Sequence, residues 1–392
     1  MTNNFIPYGR QFIDDEDIKS VLSILKSDYL TQGPNIEVFE KQLSKRVNAK
    51  YGVAVNSATS ALHVACMALG LEVGDYLWTT PITFVASANC AVYCGANVDF
   101  VEVNMDTGLI DIEAFKCKLV KAEKNGKLPK IVVPVHLAGT SCDMKSIKEL
   151  SKKYGFYILE DASHAVGGTY YDNPVGSCRY SDICVFSFHP VKIITTGEGG
   201  IATTNNDLLD QKMRLLRSHG IEKNKIKFEN EISGPWAYEQ QMLGYNYRMS
   251  EISAALGISQ LKKLDNFIKL RSINYQKYVE LLKELPISMN LIPDKVSSSH
   301  HLSFLKLNKP NKNLHKNLFV TLKEMGIGVQ VHYIPVHLQP FYRKKGFKIG
   351  DFPNSEIFAN NIISLPNFPS LKDTEHNFVV DCLKKAFQTL TF

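Results

Sequence analysis

Apolar and polar positions follow two rhythms along this chain. Residues 14–28, DDEDIKSVLSILKSD, gather acids at the start and repeat apolar residues at helical spacing, which predicts an amphipathic helix. A Gly-Pro break in YLTQGP ends that stretch, and NIEVFEKQLSKRV (35–47) resumes the helical period. From Tyr51 the pattern changes to short continuous apolar runs. YGVAVN, DYLWTTP, VDFVEV, KIVVPV, FYILED, ICVFSF and GGIATT read as strands. SATSALHVACMALG, FVASANCAVYCG, DIEAFKCKLVKAEKN, CDMKSIKELSKKYG and LLDQKMRLLRSHG read as helices between or after them. Apolar strands alternating with helices predict an α/β fold around a mostly parallel, covered sheet. This block spans roughly residues 50–225.

Beyond it, the polar tract GIEKNKIKFENEISGPWAYEQQ (220–241) predicts a long loop, and residues 251–285 predict one long helix or two. HLSFLKL, a helical stretch near 312–325, GVQVHYIP and the helix FVVDCLKKAFQTL predict a smaller α+β unit. The expected division puts an N-terminal segment and the large domain in residues 1–250. A linking helix and the smaller domain then occupy 251–392.

Composition narrows the function classes. The chain has 392 residues, 44% hydrophobic and 21% charged, enough for a sizeable core. A formal net charge of +6, from 45 basic and 39 acidic residues, gives weak attraction to anions and no argument for nucleic acid. The densest basic stretches, KKLDNFIKLRS and YRKKGFK, read as solvated faces or as part of a site for an anionic ligand. The nearest cysteine pairs, Cys90/Cys94 and Cys178/Cys184, do not continue into a CxxC…CxxC pattern. The eight cysteines are therefore expected to be buried free thiols in a reducing, cytoplasmic setting. MTNNFIPYGRQF lacks a basic region followed by an apolar core, and no run reaches 18 apolar residues, so neither export nor a membrane partner is expected.

Four stretches carry candidate chemistry. NSATSALHVA is a strand end, then small hydroxyl residues, then a helix. Ser57, Thr59 and Ser60 with the free N–H groups of the first turn suit either a phosphate or simple helix capping. In TTPITFVASAN, Phe84 follows a strand end and a proline turn, and reads as a core residue or as a platform for a flat ring. In YILEDASHA, Glu160 and Asp161 end an apolar strand, where carboxylates are costly unless paired and where α/β sheets bind ligands. Asp161 suits a protonated nitrogen, with His164 three residues on; an ordinary loop acid beside a hydrogen-bonded histidine fits the pattern as well. In FSFHPVKIITTGEGG, Ser187 and His189 precede Pro190, and Lys192 stands alone before a glycine-rich turn. His189 and Lys192 are not grouped metal ligands, so no metal is expected. The stretch has no GxxxxGK[ST] frame, and no GxGxxG opens a helix after a strand. A lysine held at a strand end can lose its proton by desolvation and become a Schiff-base nucleophile. A phosphate cup, a ring platform, an acid and a reactive amine together meet the needs of pyridoxal 5′-phosphate, though not of that cofactor uniquely.

The same stretches, with DYLTQGPNIEVFE, RSHG, GYNYRMSEISAALGISQL and VHYIPVH, resemble the DegT/DnrJ/EryC1 family of sugar aminotransferases over nearly the whole chain. The resemblance implies the PLP-dependent transferase fold of aspartate aminotransferase type, with a large sheet domain and a smaller C-terminal one. It implies Lys192 as the Schiff-base lysine and proton carrier, Asp161 on the pyridine nitrogen, Phe84 stacked on the ring and His164 near its other side. Thr59, Ser60 and Ser187 would hold the phosphate, and Asn246 would reach it from the partner subunit of a homodimer. His332 and His337 would approach substrate from the C-terminal domain, and Thr31, Gln32, Gly33 and Pro34 would lie by the sugar nucleotide. Within the family the motifs resemble most the transaminases of pseudaminic acid synthesis, which implies L-glutamate as donor and C4 of a UDP-linked 4-keto-6-deoxy-N-acetylhexosamine as acceptor. Amination at C3 or of a dTDP-linked sugar is the alternative. Relatives with histidine in place of the lysine dehydrate sugars; Lys192 argues against that reaction, and the intact set of polar residues argues against a silent scaffold.

Overall fold

The structure, a computed structural model, describes residues 5–231 and 234–390. The outer ends of the expected 1–250 and 251–392 units, the first residues of MTNNFIPYGRQF and two residues of the polar tract lie outside that range. Seven strands form the main sheet: β1 Tyr51–Val55, β2 Tyr76–Thr79, β3 Asn97–Phe100, β4 Ile131–Val133, β5 Tyr157–Asp161, β6 Ile183–Ser187 and β7 Gly200–Thr204. Their order is β1-β7-β6-β5-β4-β2-β3. The pairs from β6 through to β3 are parallel, and β7 runs antiparallel to both of its neighbours. Register then fixes the site. Asp161 lies opposite Val185, Ser187 opposite Gly200, and Val55 opposite Gly200. The carboxyl ends of β1, β5 and β6 therefore meet at one edge, beside the start of β7.

Helices cover both faces. Before the sheet come α1 Asp15–Leu25 and α2 Pro34–Val47; within it come α3 Ala58–Ala68, α4 Ala86–Tyr93, α5 Ile112–Lys124, α6 Met144–Tyr154 and α7 Asp207–Arg217. One face packs Leu62, Val64, Cys90 and Met213 against strand residues such as Val53, Leu159 and Val185. The other packs Phe115, Leu119 and Ile147 against Trp78, Val132 and Ile158. The stretch 251–285 breaks at Lys262–Lys263 into α8 Glu251–Leu261 and α9 Leu264–Leu281. The buried Glu251 carboxylate accepts from Asn35 N–H (2.9 Å) and Ile36 N–H (3.2 Å). It thereby caps α2, whose N-cap residue, Gly33, has no side chain for the task.

A second sheet of β8 Ile287–Met289, β9 Ser303–Leu307 and β10 Ile362–Leu365 is antiparallel. It shares a core with α10 Lys312–Glu324 and a closing helix, Asp373–Leu390, built on Leu305, Leu318, Leu322, Ile363 and Leu383. Ile6 packs in that same core and bridges to Ile327, so this residue is anchored in the C-terminal unit even though the expected division groups it with residues 1–250. GVQVHYIP forms no strand; it makes one bridge from Gln330 to Ser364 and bends at His332. In the polar tract, residues 221–222 pair with 239–240, a short ladder within the expected loop. All eight cysteines are free; six are buried, but Cys94 is half-buried and Cys117 is exposed on α5, contrary to the expectation for every thiol. No helix among the described residues is long and apolar enough to cross a membrane.

Candidate active site

At the sheet edge lies a cavity of about 390 Å³. Its floor comes from the strand ends. The two carboxylates after the β5 core part company, as neighbours on a strand must. Glu160 turns inward, accepts from His136 Nε2 (2.7 Å) and from the Ser181 hydroxyl, and is fully paired. His136 Nδ1 accepts Cys142 N–H (3.2 Å), so its proton sits on Nε2. Asp161 faces the cavity. Its Oδ2 accepts from Ser87 Oγ (2.5 Å) and its Oδ1 from Ser163 N–H (3.0 Å). Ser87 is in turn bonded to Thr83 Oγ (2.7 Å). A buried carboxylate is thus held by donors from α4 and its own loop, with no ion pair among the described residues.

Lys192 enters from the turn after β6. Its Nζ makes no hydrogen bond or ion pair among the described residues. The backbone beneath it is held by the buried guanidinium of Arg271, which donates to the carbonyls of Asn367 (2.6 Å), His301 (3.1 Å) and, longer, Lys192 itself (3.5 Å). Burial drives the Lys192 ammonium down to about 8, against the opposing pull of the Asp161 carboxylate. Lys192 is half-buried and lines the cavity.

The cup lies at the start of α3. Ser57 is the N-cap and accepts from Ser60 N–H (3.1 Å). The hydroxyls of Thr59 and Ser187, and the N–H groups of Ala58 and Thr59, have no partner among the described residues. A Cβ on Gly200 would stand 2.5 Å from Ala58 N, so only glycine lets β7 come this close to the helix start. Unpaired donors at a helix N-terminus suit a phosphate. Phe84 is 58% exposed and lines the cavity, which makes it a platform and not a core residue.

The opposite wall is Tyr8, His332 and Tyr333. Tyr8 packs on His332, with ring centres 5.2 Å apart, and Phe84 faces Tyr333 at 6.3 Å. His164 lies beneath, bonded to Tyr333 Oη through Nε2 (3.0 Å) and packed on His301 at 4.4 Å. Burial, aided by the nearby Lys192, pushes His332 down to about 3 and holds His164 well below the ordinary histidine range. A lone amine, an anchored carboxylate, an exposed aromatic face and a cup of free donors are the complement a pyridoxal phosphate molecule requires, and these residues fit it.

Of the residues expected in the site, Thr59, Phe84, Asp161, His164, Ser187, Lys192 and His332 share this cavity. Ser60 does not line it; its hydroxyl is spent on Asn56 Oδ1 (2.6 Å), and Ser57 stands in its place. His337 does not line it either. The short turn Val336–Leu338 buries its ring against Phe352, with Nε2 on Glu356 Oε1 (3.1 Å). Thr31 bridges to Ser250, Gly33 and Pro34 start α2, and Gln32 opens onto a separate cleft of about 470 Å³ with Arg214, His219, Lys223, Lys227 and Arg248. Asn246 is exposed on an extended segment bridged to Ser218 and lies outside the cavity of its own chain. Tyr8, Ser163, Glu198 and Tyr333 line the cavity without having been singled out; Tyr333 lies inside the quoted VHYIPVH, where the histidines drew attention instead. Among the described residues no group of three or more His, Cys, Asp or Glu could hold a metal.

Comparison with known proteins gives a consistent picture. The sequence pattern of the DegT/DnrJ/EryC1/StrS aminotransferase family matches residues 11–384. The spore coat polysaccharide biosynthesis protein SpsC of Bacillus subtilis is 36% identical over 386 residues, 97% of each chain. A UDP-4-amino-4,6-dideoxy-N-acetyl-beta-L-altrosamine transaminase of Campylobacter jejuni is 38% identical over 379 residues, 96% of each chain. The solved structure of Helicobacter pylori PseC, an aminotransferase involved in the biosynthesis of pseudoaminic acid, superposes with a TM-score of 0.90 at 33% identity. It covers 98% of this chain and 100% of its own.

Proposed function

Because the chain belongs to the DegT/DnrJ/EryC1/StrS aminotransferase family and is a pyridoxal-phosphate-dependent sugar aminotransferase, we propose that it moves the amino group of L-glutamate to C4 of a UDP-linked 4-keto-6-deoxy-N-acetylhexosamine. The observation that carries the site reading is Lys192: an unpaired amine with a lowered proton affinity, in one cavity with Asp161 and the cup. The substrate reading is supported by the likeness to the altrosamine transaminase and to PseC.

Each residue then has a task. Thr59, Ser57 and Ser187 with the first turn of α3 would hold the phosphate. Asp161, fixed by Ser87 and Ser163, would keep the pyridine nitrogen protonated, and Phe84 would cover one ring face. When bound, the cofactor supplies an electron sink for the carbon that gains or loses nitrogen. The Lys192 amine, once freed, takes the proton from the donor carbon and later returns one to the acceptor carbon, base and acid in turn. Asn246, exposed and outside its own cavity, would complete the cup of a second copy in a homodimer. The similarity to SpsC favours a second reading, a different nucleotide-linked keto sugar, at nearly equal identity.

A panel of UDP- and dTDP-linked keto sugars with glutamate, the product's amine located by NMR, tests this. Turnover confined to the UDP-linked 4-ketone supports the reading. Preference for a C3 ketone or a dTDP-linked sugar overturns the substrate and leaves the aminotransferase in place.

A further inference from the structure

The hydrogen bonds around His164 fix which way a proton points. Ala138 N–H reaches His164 Nδ1 at 3.3 Å, and a backbone N–H can only donate. Nδ1 is therefore bare. The ring is buried, with Lys192 and the imidazoles of His301 and His332 among its charged or polar neighbours and no carboxylate bonded to it among the described residues, so it carries its single proton on Nε2. That N–H donates to Tyr333 Oη at 3.0 Å. The phenol's own proton then has no acceptor among the described residues, and Tyr333 lines the cavity that holds Lys192 and Asp161. Burial, reinforced by Asp161 and Tyr8, raises the phenol's proton affinity, so it stays a donor. The turn that supplies the Ala138 N–H is held by Gly139 N–H on the His136 carbonyl (3.2 Å) and Thr140 N–H on the Leu137 carbonyl (3.0 Å).

We propose that Tyr333 is a further catalytic residue: its O–H donates to the substrate oxygen on the carbon that exchanges oxygen for nitrogen, and His164 is the positioning residue that aims it. In that exchange a carbonyl and an amine give an imine and water. The departing oxygen takes both protons from the incoming amine, so Tyr333 lends a hydrogen bond and keeps its own proton. An oxygen leaves the substrate carbon as water in the sugar half-reaction and one enters from water in the glutamate half-reaction, so one donor serves both. The proposal rests on Lys192 as the lysine that holds the cofactor and carries the proton; borohydride labelling tests the attachment separately, so the two can fail apart.

Tyr333→Phe removes the hydroxyl and keeps the ring against Phe84 and His164. Single-turnover rates of both half-reactions should fall by about 10-fold or more, while affinity for pyridoxal phosphate stays within about threefold. In the full chain, nitrogen-15 NMR of the histidine side chains should show a ring protonated on Nε2 alone between about pH 5 and 9, and its signal should shift in Tyr333→Phe. Slowing of the sugar half-reaction alone, loss of cofactor affinity with rates intact, unchanged rates, or a proton on His164 Nδ1 would each overturn it.

Discussion

The floor of the cavity is built from strand ends whose carboxylates are each held by hydrogen bonds, whereas the wall is built from Tyr8, His332 and Tyr333, drawn from distant parts of the chain. On the floor, the Asp161 carboxylate accepts two hydrogen bonds, and Glu160 behind it is fully paired with His136 and Ser181. The wall holds no carboxylate and no cation. It desolvates Lys192 without offering a counter-charge, so burial outweighs the pull of Asp161 and the amine sheds its proton more easily. A reactive lysine thus depends as much on what its uncharged side excludes as on what its charged side supplies.

The comparison breaks first at the floor. Lys192→Ala should cut turnover by about 10,000-fold or more, measured as amine formed on a keto sugar, because nucleophile and proton carrier vanish together. Asp161→Asn should cut it by about 100-fold, with cofactor still bound, since a hydrogen bond to a charged group is lost while the shape survives. A third test sharpens the electrostatics. Only the neutral amine reacts, so uptake of pyridoxal phosphate by cofactor-free protein should slow about tenfold per pH unit below about 8 and level off above it. A wall change should matter least: Tyr8→Phe should alter KM for the keto sugar by about threefold and leave kcat nearly unchanged, as expected for one uncharged hydrogen bond.

The same contrast marks what the sequence made legible. Strands covered on both faces are continuous apolar runs, so all seven main-sheet strands stand out, and the motifs after them hold Thr59, Phe84, Asp161, Ser187 and Lys192. The reversed direction of β7 leaves no mark, since a run such as GGIATT is equally apolar either way. Ser57 and Ser60 differ in helix phase, which the sequence alone does not separate: the residue just before the first turn caps it and lines the cavity, and the one inside turns back to Asn56. The wall was harder to read. Tyr8 has no local pattern, and its place follows from Ile6 docking in the C-terminal core. In VHYIPVH the two histidines invite equal roles, but a short turn at 336–338 sends His337 to Glu356, and Tyr333, between them, takes the cavity. Glu251 resembles any acid at a helix start, and only the fold shows it capping α2.

The most direct measurement is borohydride reduction of the pyridoxal-phosphate-loaded protein, followed by digestion and mass spectrometry. A single reduced adduct is expected on the peptide carrying Lys192, with the loss of the cofactor's visible absorbance. An adduct on another lysine, or none while the protein still transfers amine to a keto sugar, would contradict it.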